Sequence, residues 1–144
     1  MPIAPNVVGM REVRVSRVID ASPVVVSRWL EPPTIVEAEG SFTVETIDEH
    51  ADTTIVVASG PGMQLPLRFE ERDDSVYYTQ EGEQGPFSHM ETWIDVEDAT
   101  DGTRVTFRSS VSLAAPLPFG DRIAAWKRKG ELTRALETLE AELG

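Results

Sequence analysis

Polar and apolar positions alternate over Arg11 to Asp20 (REVRVSRVID), with Val13, Val15 and Ile19 on one parity. A period of two predicts a half-buried strand. Ser22 and Pro23 follow, a capping hydroxyl and a residue suited to a first helical turn. They predict a short helix over Val24 to Leu30, although three valines are mediocre helix formers, and Pro32-Pro33 stops it. A second helical turn is predicted over Thr34 to Glu39, closed by Gly40. From Ser41 onward short alternating runs are separated by turn residues. Strands are predicted at 41–48, 53–59, 63–71, 75–80, 87–97 and 103–113. The turns between them carry Glu49-His50-Ala51, Gly60-Pro61-Gly62, Asp73-Asp74, Gly82 to Pro86, and the hairpin signal Asp101-Gly102. Short successive connections make an antiparallel meander of about six strands. The first strand joins as an edge or closing partner, which makes about seven.

Pro116 and Pro118 end the last strand, and Phe119 to Leu143 reads as a helix about 37 Å long. Its apolar stripe is split. Leu132, Leu136, Leu139 and Leu143 share a narrow sector at 100° per residue. Phe119, Ile123 and Trp126 lie nearly opposite, with Gly130 between the two sets. Either the helix bends near Gly130, or its two halves face different surroundings. The pattern as a whole is α+β, one domain over residues 1–144.

The 144 residues include no cysteine, which excludes a disulfide framework, a thiolate metal site and a cysteine nucleophile. No run of 18 apolar residues occurs, so no membrane-spanning or stably inserted segment is expected. Met1 to Met10 has neither a basic n-region nor an apolar h-region, so a cytoplasmic protein is expected. The formal net charge is −12, from 25 acidic and 13 basic residues, and only Lys127 and Lys129 are lysines. Such a surface repels nucleic acid and anionic lipid. Its acidic, lysine-poor, arginine-retaining make-up resembles proteins of salt-accumulating halophiles.

The order of elements, with Val18-Ile19-Asp20-Ala21-Ser22-Pro23 leading the first strand into a helix, Asp101-Gly102-Thr103-Arg104-Val105-Thr106 opening the last strand, and the helix from Ile123 to Leu143, resembles the START-like (SRPBCC) superfamily. This is the polyketide cyclase/dehydrase and lipid-transport group. The resemblance implies a helix-grip: a curved antiparallel sheet wrapped around the long C-terminal helix, with two short helices after strand 1 and a cavity for an apolar ligand. It implies no particular activity, because the group includes carriers, receptors and enzymes. On this reading the leucines close the packed end, and Phe119, Ile123 and Trp126 border the open one.

Strand parity nominates the inward face: Met90, Thr92, Ile94 and Val96; Val105, Phe107 and Ser109; Leu65, Leu67 and Phe69; Val76 and Tyr78. Each position also reads as plain core, the commoner role. The ligand-lining set is Met63, Leu65, Leu67, Tyr78, Met90, Thr92, Phe107, Ser109, Ile123 and Trp126, rich in adaptable methionine and aromatic side chains. His89 and Glu91 share the outer face and form a possible base–orienter pair there, solvation being the commoner state. The step of about 7 Å between alternate strand residues is too wide for Glu91 and Asp95 to complete a compact metal site. No Gly-x-Ser-x-Gly, phosphate loop or dinucleotide fingerprint occurs, so no cofactor or metal is expected. Arg68, and with it Arg108, reads as exposed. Trp93 and Phe87 are predicted to face outward together, a possible homodimer surface.

Three functions follow as alternatives. The leading one is a binder or carrier of a small hydrophobic ligand, lipid- or polyketide-like, in the cavity. The second is a cyclase- or hydratase-type enzyme on a hydrophobic intermediate, with Thr92, Ser109 and Tyr78 as the inward polar groups by parity. The third is a protein-interaction module.

Overall fold

The computed structural model describes residues 11–72, 75–82, 87–113 and 119–144. The turns read at Asp73-Asp74 and around Gly85-Pro86, the stops at Pro116 and Pro118, and the segment Met1 to Met10 lie outside these residues.

The order is β1 (Arg11–Ile19), α1 (Pro23–Trp29), α2 (Pro32–Glu39), β2 (Thr43–Glu49), β3 (Thr53–Gly60), β4 (Met63–Arg72), β5 (Ser75–Gln80), β6 (Phe87–Ala99), β7 (Gly102–Leu113) and α3 (Gly120–Leu143). The seven strands form one antiparallel sheet in the order β1-β7-β6-β5-β4-β3-β2. The meander therefore runs from β2 to β7, and β1 lies beside β7 as an edge strand. The curved sheet, the long terminal helix and the two short helices after β1 make a helix-grip.

Local chemistry explains the joints. Ser22 accepts a hydrogen bond from the Val25 amide at 3.4 Å, and Pro23 fills the first position of α1. The Pro32-Pro33 pair does more than stop α1. It forms the first turn of α2, where the missing amide hydrogens have no helical partner to lose. Gly40 closes α2 in the left-handed region at φ 84°. Arg134 of α3 donates through Nε to the Glu39 carbonyl at 2.9 Å, tying the end of α2 to the long helix. At the β6–β7 turn, Gly102 takes φ 142°, and a Cβ there would lie 2.1 Å from the Ile19 carbonyl oxygen. Only glycine lets β1 come that close.

One face of α3 packs on β1 and β7. Leu132, Ala135, Leu136 and Leu139 are buried against Ile19, Val105, Phe107 and Val111. The second of the two readings of the split stripe holds: α3 is helical without a break through Gly130, and Phe119, Ile123 and Trp126 are 70%, 52% and 78% exposed. Phe119 itself stands just outside the helix, with φ 58°.

Phe87 corrects the outward pairing with Trp93. It is 7% exposed and belongs to the core. The β6–β7 register shifts between Phe87 and His89, and such a bulge reverses the parity of every residue before it. Trp93 does face outward, under the Arg108 guanidinium at 4.4 Å and beside Tyr77. His89 Nε2 lies 2.9 Å from a Glu91 oxygen on the same face without forming a hydrogen bond, and Glu91 instead accepts from Tyr77 Oη at 2.5 Å.

Candidate functional site

One row of residues crosses the concave face of the sheet. Phe69 pairs with Tyr78, Tyr78 with Thr92, and Thr92 with Ser109. Three of the four carry hydroxyls, in a face otherwise lined by Leu65, Leu67, Met90, Ile94 and Phe107. Above this row lies Arg128 of α3, only 2% exposed. It occupies the same face as Leu132 and Leu136, at spacings of four and eight residues.

All five donors of its guanidinium are engaged. Nε donates to Ser109 Oγ at 3.2 Å. Nη1 donates to Glu39 Oε1 at 2.7 Å and Glu131 Oε1 at 2.9 Å. Nη2 donates to Tyr78 Oη at 2.5 Å, Thr92 Oγ1 at 2.8 Å and Glu39 Oε2 at 3.4 Å. Tyr78 in turn donates to Glu39, and Ser41 donates to Glu131. Lys127 closes the edge of the cluster, 3.2 Å from Ser41 Oγ and 3.3 Å from Glu131 Oε2. One buried cation thus holds two buried carboxylates, and the exposed Lys127 balances the second.

The electrostatics follow from burial and pairing. Burial pushes the Glu39 carboxyl above its usual range, and Arg128 opposes this without cancelling it. Burial acts on Glu131 in the same direction, but Arg128, Ser41 and Lys127 together bring it below the usual range. Burial raises the Tyr78 phenol well above its ordinary value, against the opposing charge of Arg128. Arg128 is held firmly protonated: burial disfavours its charge, and Glu39, Tyr78 and Glu131 outweigh that. A cluster so fully paired is a fixed polar floor, with all five guanidinium donors of Arg128 already taken.

Phe69 links this floor to an opening. Its ring stacks on Tyr78 with centroids 4.5 Å apart. Phe69 also helps line a cleft of about 400 Å³ between α1–α2 and the ends of β3, β4 and β5, with Leu30, Pro32, Thr54 and Val76. The rim carries His50, Asp52, Glu70 and Glu71. A second cleft of about 350 Å³ shares Leu30, Glu71 and Val76 and continues to Ile94 and Val96.

Of the sequence-predicted lining, Leu65, Leu67, Tyr78, Met90, Thr92, Phe107 and Ser109 are buried on the concave face. The structure gathers Tyr78, Thr92 and Ser109 under Arg128. Met63 is 39% exposed at the β3–β4 turn, and Ile123 and Trp126 point away from the sheet on the outer side of α3. Sequence reasoning missed Arg128, Glu39 and Glu131. The signal was present: Arg128 sits four residues before Leu132, and Glu39 four after Ile35, both on buried stripes. A charge on an apolar stripe is the mark of a buried pair. Among the described residues, no three His, Cys, Asp or Glu side chains are placed to hold a metal. No described helix is long and apolar enough to cross a membrane.

Solved structures share this fold at low identity. The Zhui aromatase/cyclase from Streptomyces sp. R1128 superposes with a TM-score of 0.74 at 14% identity, over 93% of each chain. The protein TTHA0849 from Thermus thermophilus gives 0.69 at 22% identity, covering 92% of this chain and 97% of its own. A START superfamily protein from Mycobacterium smegmatis gives 0.66 at 12%, covering 94% and 99%. Among curated proteins, none matches the sequence. A family profile described as polyketide cyclase/dehydrase and lipid transport matches residues 10–144, nearly the whole chain, and the protein belongs to that family.

Proposed function

We propose that the protein binds a small hydrophobic molecule on the concave side of its sheet, without covalent chemistry, and that the molecule enters by the cleft floored by Leu30, Phe69 and Val76. The carrying observation is that cleft: about 400 Å³ of space, within the range of about 300–1,000 Å³ common for small-ligand sites. The gap between the sheet and α3 is less open. Tyr78, Thr92 and Ser109 are tied to Arg128 there, and Leu65, Leu67, Met90 and Phe107 pack around them. A ligand seated in the cleft lies one ring, Phe69, from the polar floor. Reaching that floor requires displacing Phe69 or competing for hydrogen bonds of Arg128, which favours a ligand with an apolar body and one polar end.

The test is titration with an apolar fluorescent probe. Saturable binding is expected. Val76→Trp, which fills the cleft, weakens it at least tenfold, while Met90→Trp, which crowds the sheet–α3 side, changes it less, with both variants shown to be folded by circular dichroism. Loss of binding on Met90→Trp alone places the ligand between sheet and α3. Absence of saturable binding for probes of every size sinks the proposal.

A cyclase- or hydratase-type reaction is the second reading. Its support is the Tyr78 phenol, which donates to Glu39 and accepts from Arg128 in an enclosed setting that perturbs all three groups. On that reading Tyr78→Phe abolishes turnover of a polyketide-like substrate and preserves its binding. Equal turnover by the variant rejects it.

A further inference from the structure

On the outer side of the first half of α3, three large apolar side chains stand exposed. Phe119, Ile123 and Trp126 form a single ridge, spaced four and three residues apart, and all three are more than half exposed. Exposed Arg122 and Lys129 flank the ridge on one side and Lys127 on the other, each within about 90° at 100° per residue. Arg128, nearly opposite, is the one basic residue of this stretch that faces the core.

The charge distribution is unusual for this protein and for a helix. Both lysines of a chain with net charge −12 lie here. Residues 119–130 carry Arg122, Lys127, Arg128 and Lys129 against Asp121; residues 131–144 carry Glu131, Glu137, Glu140 and Glu142 against Arg134. The helix dipole favours the reverse order, acids first and bases last. Lys127 and Arg128 pair with Glu131, but the dipole does not account for the exposed Arg122 and Lys129.

We infer that this ridge docks the protein on an anionic lipid surface, with Trp126, Ile123 and Phe119 in the headgroup layer and Arg122 and Lys129 against the lipid phosphates, Lys127 remaining paired with Glu131. Aromatic and aliphatic side chains flanked by basic ones are the composition that lies in a membrane interface. The net negative charge elsewhere is no obstacle at contact, because charges beyond about 8 Å are screened at physiological salt. A second copy is a poor occupant: a twofold contact apposes the basic patch with its own copy, like charge against like. Three side chains also fall well short of the roughly 800 Å² per partner of a stable protein interface. The inference extends the hydrophobic-ligand reading, since such a ligand resides in bilayers. It is tested on ligand-free protein, so either can fail without the other.

The experiment is flotation of the full chain with phosphatidylcholine vesicles, with and without phosphatidylglycerol. Binding is expected to the anionic vesicles only. Trp126→Ala lowers it at least tenfold, as loss of one large buried apolar group implies. Arg122→Gln with Lys129→Gln lowers it about 25-fold, at about fivefold for each charge near the surface. Both variants keep the probe affinity of the cleft. No flotation with anionic vesicles overturns the inference, as does an affinity unchanged by either variant. Concentration-dependent dimerisation that Trp126→Ala abolishes, without vesicle binding, assigns the ridge to a second copy instead.

Discussion

Arg128→Met is the most informative perturbation of the interior. Methionine keeps the length and apolar stem of the side chain but removes the cation that Glu39 and Glu131 share. Both carboxylates are themselves buried. Removing one partner of a buried ion pair costs about 3–5 kcal/mol, because the remaining charge is stranded. For a chain of this length that lowers the melting midpoint by about 10–15 °C. The cost depends on pH. Without Arg128 nothing offsets the burial that already raises Glu39, and Glu131 loses the main influence holding it down. A folded-state pKa raised above the unfolded value means that the folded form binds protons more tightly, so stability is greatest at low pH and is lost as pH rises. Urea denaturation at pH 8 and pH 5 measures this: the variant's deficit is large at pH 8 and shrinks at pH 5. Replacing all three charges together, Arg128→Met with Glu39→Leu and Glu131→Leu, recovers most of the stability. A single variant within about 1 kcal/mol of wild type at pH 8 refutes the description of these groups as one charge-balanced buried unit.

The protein's two tyrosines give a spectroscopic check. Burial, reinforced by Glu91, pushes Tyr77 up to about 12, and burial raises Tyr78 well above its ordinary value. At about pH 11, above the ordinary tyrosine value near 10, the folded protein shows little tyrosinate absorption; half-ionisation near pH 10 while folded contradicts the assignment. The linked stability is full below about pH 10 and is lost as pH rises through about 12. Tyr78→Phe removes a hydroxyl bonded to Glu39, Arg128 and nothing outside the cluster, and is expected to cost about 1–3 kcal/mol in chemical denaturation; a neutral result means the hydroxyl is not integral to the network. Gly102→Ala drives a methyl into the Ile19 carbonyl and is expected to destabilise by about 3 kcal/mol or more, a loss that thermal melting would register and whose absence would contradict the close approach of β1.

The layout of the fold was legible because period-two and capping signals are local. Ser22-Pro23, Gly40 and Asp101-Gly102 each stood where an element begins or ends. The dual role of Pro32-Pro33, stopping one helix and starting the next, was half visible. The bulge before His89 was not, since the adjacent Gly85-Pro86 reads as the preceding turn, and Phe87 changed sides in consequence. The polar floor was legible only in part. Parity placed Tyr78, Thr92 and Ser109 inward. Their partner is 50, 36 and 19 residues away in the chain, and no local pattern encodes such a pairing. Counting apolar residues alone hid Arg128, although its position on the leucine stripe announced a buried charge. The cleft at Leu30, Phe69 and Val76 depends on how α1 and α2 sit over the strand ends, which period and composition do not specify.

The central claim is that a hydrophobic guest lodges in the cleft beside Phe69. Amide chemical-shift mapping of the isotopically labelled protein during titration with an apolar probe tests it most directly. Saturating shifts at Leu30, Thr54, Phe69 and Val76, spreading to Tyr78 through the stacked rings, are the predicted result. Shifts confined to the outer side of α3, or none that saturate, would contradict it.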